Sequence, residues 1–195
     1  MPRTEITRDD LMELADYSSI RKQKRQELSI IKKNRRVEIG PVATAYFESY
    51  DTMWWQVQEM LYIEKGGEEQ IADELAAYNP LIPKGRELGT TVMFEIDDEI
   101  RRRNFLSRLG GVEETMFIEF LGETVTGVPE KDLDRTSTDG KASSVQFIHF
   151  PFSDEQIKVF RTTNSQVMVG FRHPEYSHMC VIQDAVREAL AADFA

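Results

Sequence analysis

Two segments in the second half of the chain repeat one pattern, and that repetition limits the folds open to it. Val92-Met93-Phe94-Glu95-Ile96-Asp97-Asp98 and Phe147-Ile148-His149-Phe150-Pro151-Phe152-Ser153-Asp154 each run from an apolar stretch into helix-capping residues. β-Branched and aromatic side chains suit a pleated, half-buried surface. Asp or Ser at a helix start accepts hydrogen bonds from amides that otherwise lack partners. A strand leading into a capped helix, found twice, is the unit of an α+β layer.

The neighbouring residues extend this pattern. Their spacing predicts strands over 90–96, 115–121, 124–128, 144–150 and 166–172. Helices are predicted from Asp97-Asp98 to Leu109, from Ser153 to Thr163 and from Gln183 to Phe194. Leu121-Gly122-Glu123 reads as a hairpin turn and 129–140 as a polar loop. With the extra hairpin strand set aside, the order is β-α-β-β-α-β, that of a ferredoxin-like sandwich.

The first half reads as mainly helical. Thr7 and Asp10 form a capping pair, and Leu11, Leu14, Tyr17, Ile20, Leu28 and Ile31 follow as a helical stripe. Val37 and Ile39, then Ala43, Ala45 and Phe47, suggest two short strands around Gly40-Pro41. Asp51-Thr52 cap a helix that Gly66-Gly67 stops, and another runs from Glu68 to Tyr78. The stretch 80–89 reads as a linker. The expected organisation is a mainly helical region over 1–82 and an α+β sandwich over 83–195, packed as one unit. Several strands are apolar on both faces, as with Phe94 and Ile96 opposite Met93, or Ile148 and Phe150 opposite Val145 and Phe147. The second face therefore needs a cover, either the N-terminal helices or a second copy of the chain in a homodimer.

Composition removes several classes of function. Hydrophobic residues make up 41% of the 195, enough for a packed core. Lys and Arg number 24 against 34 Asp and Glu, a net charge of -10, which disfavours nucleic acid as a partner. The single cysteine, Cys180, excludes an intrachain disulfide and an all-cysteine metal site. No apolar run approaches the ~18 residues of a membrane span. Met1 to Asp10 lacks an apolar signal core, so the expected location is the cytoplasm.

Three features are able to carry chemistry. The first is segregated charge. Residues 21–36 hold Arg21, Lys22, Lys24, Arg25, Lys32, Lys33, Arg35 and Arg36 against Glu27 alone, so this segment is +7 and the rest -17. Arg21, Arg25, Lys32, Lys33, Arg35 and Arg36 form a candidate patch for an anionic partner. The bland alternative is a solvated helix face. The second feature is His173, Glu175, His178 and Cys180, all within eight residues. Imidazole, carboxylate and thiolate bind zinc or iron, which makes His173, His178 and Cys180 a candidate metal set. The alternative is a turn His, an exposed His and a Cys acting as a small hydrophobe. The third is Glu48 with Gln56 and Glu59, which lie three apart on a helix and would form a polar site with His173. The alternative is an amphipathic helix packing Trp and Met on a sheet. There is no Walker loop, no Gly-x-Gly-x-x-Gly and no Gly-x-Ser-x-Gly elbow. No cofactor is evident, and a metal is the one candidate.

Longer stretches carry a resemblance. Ile6-Thr7-Arg8-Asp9-Asp10-Leu11, Lys32-Lys33-Asn34-Arg35-Arg36-Val37-Glu38-Ile39-Gly40-Pro41, Gln56-Val57-Gln58-Glu59-Met60-Leu61, Tyr78-Asn79-Pro80-Leu81-Ile82-Pro83 and His173-Pro174-Glu175-Tyr176 resemble an uncharacterised bacterial family, the domain of unknown function thirty-five-oh-one. The resemblance brings no activity. It implies a context, because such proteins are often encoded beside a rubrerythrin and an iron–sulfur oxidoreductase-like protein. It implies a non-catalytic accessory or partner-binding role in redox or peroxide stress, with those proteins as partners. The competing expectation is a metal- or small-molecule-binding enzyme with a Glu/Gln/His site.

Overall fold

A computed structural model describes residues 2–130 and 140–195. Most of the expected polar loop, 131–139, lies outside the described residues. Thr7 and Asp10 do cap a turn, but it is a separate 3-10 turn over Arg8–Asp10, and Leu11 is extended. Helix α1 therefore begins later than the stripe suggests and spans Leu14–Lys33. Strands β1 (Arg36–Ile39) and β2 (Ala43–Phe47) follow, joined at Gly40, whose φ of 70° suits a residue without a Cβ. Helix α2 (Tyr50–Glu64) opens with a capping box between Ser49 and Thr52, and α3 spans Gly67–Tyr78. The expected linker is shorter than 80–89, because β3 already starts at Glu87 and runs to Phe94.

Helix α4 spans Glu99–Leu106 behind an Asp98 cap. Strands β4 (Met116–Phe120) and β5 (Glu123–Thr126) meet at Leu121-Gly122, both with positive φ, as a tight hairpin requires. The short β6 (Val128–Pro129), β7 (Val145–Pro151), α5 (Asp154–Thr162) and β8 (Val167–Phe171) come next. A strand not assigned from sequence, β9 (Met179–Ile182), precedes α6 (Asp184–Ala191).

The fold is α+β, with two antiparallel sheets rather than the one sheet of a ferredoxin-like sandwich. The orders are β1-β2-β3-β7-β6 and β5-β4-β8-β9. In a ferredoxin-like arrangement β3 would sit between β7 and β8. Here β2 takes the place beside β3, pairing Phe47 with Thr90 and Ala43 with Phe94. β8 turns instead to β4 and β9. The sheets share one core, which includes Val92, Phe94, Ile148 and Phe150 from the first and Ile118, Phe120, Val169 and Phe171 from the second. The apolar face of each sheet thus covers the other, with α5 and α6 adding Phe160 and Leu190. Because β2 pairs with β3, the regions 1–82 and 83–195 share a sheet.

The turn between β1 and β2 is held from the second sheet's side of the core by Tyr176. Its hydroxyl donates to Ile39 O at 2.5 Å and accepts from Ala43 N at 3.1 Å. Tyr176→Phe should leave a buried amide and a carbonyl without partners, lowering stability by about 1 kcal/mol. Urea unfolding tests this, and an unchanged midpoint would show the hydroxyl to be dispensable.

The second face of the five-stranded sheet meets the N-terminal helices. Phe147 packs against a cluster of Met53, Val57, Leu61, Leu81 and Ile82. Tyr17, Leu28 and Trp55 in turn join α1 to α2. The cover is incomplete: Met93 is 37% exposed, and a cleft opens beside it.

Candidate functional site

Alternation along the strands builds the floor of this cleft. Thr91 pairs with Tyr46 on one side and Phe147 on the other, while Met93 pairs with Thr44 and Val145. Tyr46, Thr91, Met93, Val145 and Phe147 line the cleft from the sheet. Helix α2 adds Thr52, Met53 and Gln56, Tyr78 and Leu81 close another wall, and Lys32 and Arg35 come from the end of α1 and the residues after it. The volume is about 380 Å³, within the range of small-molecule pockets.

Glu48 is the buried charge of the cleft. It lies between the end of β2 and the cap of α2, pinned by its amide donating to Gly89 O at 2.8 Å, and is 7% exposed. Its Oε1 accepts from Thr91 Oγ1 at 2.8 Å and its Oε2 from Thr52 Oγ1 at 2.7 Å. It makes no ion pair among the described residues. Burial pushes its pKa up, against the pull of the two hydroxyls and the charges of Lys32 and Arg35. Nearby, Gln56 Nε2 donates to Tyr78 Oη at 3.4 Å, and its Oε1 accepts no hydrogen bond among the described residues.

Arg35 does not neutralise Glu48. Its guanidinium donates to Asp193 Oδ2 at 2.8 Å and Oδ1 at 2.6 Å, to Glu48 O at 3.1 Å and to Ala189 O at 3.2 Å. Burial raises the Asp193 pKa and Arg35 opposes that rise. This buried pair ties α6 to the backbone of Glu48. Lys32 is exposed and makes no ion pair among the described residues.

The four candidates Glu48, Gln56, Glu59 and His173 do not form one site. Glu48 and Gln56 line the cleft together. Glu59 faces α1, where it accepts from Tyr17 Oη at 2.5 Å and from Arg21 at 2.8 Å through both Nε and Nη2. The hydrogen bond from Arg21 pulls its pKa down. His173 sits in a turn bridged to Tyr176. Its Nδ1 accepts from Glu175 N and its Nε2 donates to Gly110 O, both at 3.2 Å, so both nitrogens are engaged.

The metal candidates are likewise separate. His178 is exposed against the Tyr176 ring, with centroids 4.6 Å apart. Cys180 on β9 packs against the main core, and burial pushes its thiol up. Among the described residues no group of three or more His, Cys, Asp or Glu side chains gathers in a way that would hold a metal. His149 lies elsewhere, with Nε2 2.8 Å from Glu130 Oε2 and Nδ1 3.7 Å from Glu87 Oε2.

The basic segment is also divided. Arg35 is interior, and Arg21 is bound to Glu59 and lies 4.9 Å from the Tyr62 ring centroid. Arg36 meets Glu38 at 3.1 Å. Arg25, Lys32 and Lys33 remain as exposed charges. Thr91 and Asp193 were not read from sequence as site residues. Strand alternation places Thr91 with Phe147, and an acid beside Phe194 in an apolar C-terminal run is the signal for Asp193.

The class defined so far is a two-sheet α+β protein with a helical cover and an acid-floored cleft beneath it. The family model described as Protein of unknown function (DUF3501) matches residues 5–194, and the chain belongs to this family. The chain is similar to a crystal structure of a novel protein of unknown function from Burkholderia pseudomallei K96243. The two share 34% identity over 99% of this chain and 100% of the other, with a TM-score of 0.90. No curated protein matches the sequence. Among the described residues, no helix is long and apolar enough to cross a membrane.

Proposed function

We propose that the chain is a small-molecule-binding protein whose site is the cleft between α2 and the five-stranded sheet. The observation that supports this reading is Glu48, a 7%-exposed carboxylate that makes no ion pair among the described residues, at a cleft of about 380 Å³. A buried acid without a cation is costly, and such perturbed groups concentrate at functional sites. Aromatic and apolar walls supply affinity, and Glu48 with Gln56 supplies orientation. Catalysis at this site would rest on Glu48 as the group that holds or accepts a proton.

Met93→Trp, which places a bulky ring at the cleft, tests the reading. Native mass spectrometry of gently purified protein should show an added organic mass that is absent from the denatured spectrum and from the variant. The reading fails if the mass is bare and no compound in a fragment library shifts the melting temperature of wild type more than that of Met93→Trp.

A second reading is favoured by the exposed Arg25, Lys32 and Lys33 on an acidic chain. It is a partner-binding accessory role in redox or peroxide stress, with a rubrerythrin or an iron–sulfur protein docking on this helix. Such a complex would weaken with salt. Converting Arg25 and Lys33 to Glu should abolish it, and an unchanged affinity would remove this reading.

A further inference from the structure

We infer that the cleft reads an amphoteric headgroup, an ammonium on Glu48 and a carboxylate on Lys32, attached to an apolar side chain that lies on Tyr46, Met93, Val145 and Phe147. This rests on the cleft being a ligand site, as proposed above.

The inner end of the cleft takes donors. Thr52 Oγ1 accepts from Ser49 N at 2.9 Å and has Glu48 Oε2 at 2.7 Å as its nearer acceptor, with Ser49 O at 3.1 Å. Thr91 directs its proton to Oε1. Both hydroxyls therefore favour the ionised carboxylate, each oxygen of which keeps a lone pair for a further donor. Gln56 Oε1 is a second acceptor on the same wall. An N–H-rich cation satisfies these groups and supplies the charge that Arg35, committed to Asp193, does not.

A simple amine does not account for the other end. Lys32 lines the same cleft, carries no partner among the described residues and would repel a bare cation. A simple anion would satisfy Lys32 but oppose Glu48. One ligand bearing both charges meets both residues. The two poles also line one cleft of about 380 Å³, which bounds their separation. That proximity fits ammonium and carboxylate on one carbon, as in an α-amino acid, rather than at the ends of a long molecule. The remaining lining from the sheet is apolar or aromatic, so the side chain should be too. Binding of the ammonium also leaves Glu48 ionised, so any proton that the empty site holds is released to solvent.

Four probes of one shape separate the contributions: phenylalanine, phenethylamine, 3-phenylpropionate and 2-phenylethanol, titrated calorimetrically. Phenylalanine should bind at least tenfold more tightly than each of the other three. Lys32→Ala should reduce phenylalanine to within about twofold of phenethylamine. Glu48→Gln should remove the advantage of both amines over 2-phenylethanol. If phenylalanine binds no better than 2-phenylethanol, the amphoteric inference is wrong. The cleft reading survives that result if 2-phenylethanol binds wild type and fails to bind Met93→Trp. If none of the four binds, the inference falls, and the native mass measurement then decides the cleft reading independently.

Discussion

Asp193→Ala is expected to destabilise the protein by about 3 kcal/mol or more, a cost characteristic of breaking a buried ion pair from one side. Both partners are nearly inaccessible, with side chains 9% and 12% exposed, and their contact is bidentate. Removing the carboxylate leaves the Arg35 guanidinium buried and still charged, because arginine does not lose its proton in proteins. Its remaining partners are the carbonyls of Glu48 and Ala189. These accept hydrogen bonds but do not cancel the charge. The double variant Arg35→Met with Asp193→Leu should recover about half of the loss. It removes the orphaned charge and fills the volume, but leaves those two carbonyls without their donor. Urea unfolding with an unchanged slope is the measurement. A single-variant loss below 1 kcal/mol would show that water reaches the pair. Arg35 also holds the backbone of Glu48, so Asp193→Ala should weaken binding at the cleft without any contact to the ligand.

Local signals in the sequence located most elements. Asp98 and Ser153 cap helices because a short polar side chain followed by a helical run acts over three residues, whereas α2 is capped by Ser49 rather than by the expected Asp51-Thr52, which lie in its first turn. Gly122 marks the β4–β5 hairpin because a glycine between two apolar runs readily takes the positive φ that the turn needs. The partition of strands was not legible in this way. Whether β2 or β8 lies beside β3 depends on which distant strand completes the edge, and both candidates are short and mostly apolar. Ferredoxin-like order and two packed sheets use the same alternation. The double-faced strands did demand a cover, and the second sheet and the N-terminal helices together supply it.

The site was legible in part, for geometric reasons. Glu48 and Gln56 come together because one strand end leads directly into one helix, a span of eight residues with a single cap between them. Glu59 lies three residues beyond Gln56, which on a helix is a rotation of about 60° from it. That is enough to carry it from the sheet side of α2 to the α1 side, where Tyr17 and Arg21 hold it. Shared spacing places two residues on one broad face but does not say that a single neighbour covers that face. His173 required the whole tertiary arrangement, since its ring is engaged by the carbonyl of Gly110, sixty-three positions away.

Glu48→Gln should stabilise the empty protein by about 2 kcal/mol at pH 8 and change it little at pH 4. The sign follows from the direction of the pKa. Burial lifts the native value above the unfolded one, near 4.3 for a glutamate. The native state therefore binds this proton more tightly than the unfolded chain does. The contribution of Glu48 to stability is greatest below the unfolded value and is lost as pH rises through the native value. Glutamine fills nearly the same volume without the charge: Thr91 can still donate to its Oε1, and Thr52 can turn its proton to Ser49 O and accept from its Nε2. Unfolding wild type and variant in urea at both pH values measures the difference. A variant that loses stability at pH 8, or gains equally at both, would show that the carboxylate is solvated and not strained. With saturating phenylalanine the order at pH 8 should narrow, because the ligand supplies wild type with the missing cation and has no charge to meet in the variant. Under the proposed amphoteric ligand, Glu48 should therefore cost the empty fold stability and return it on binding.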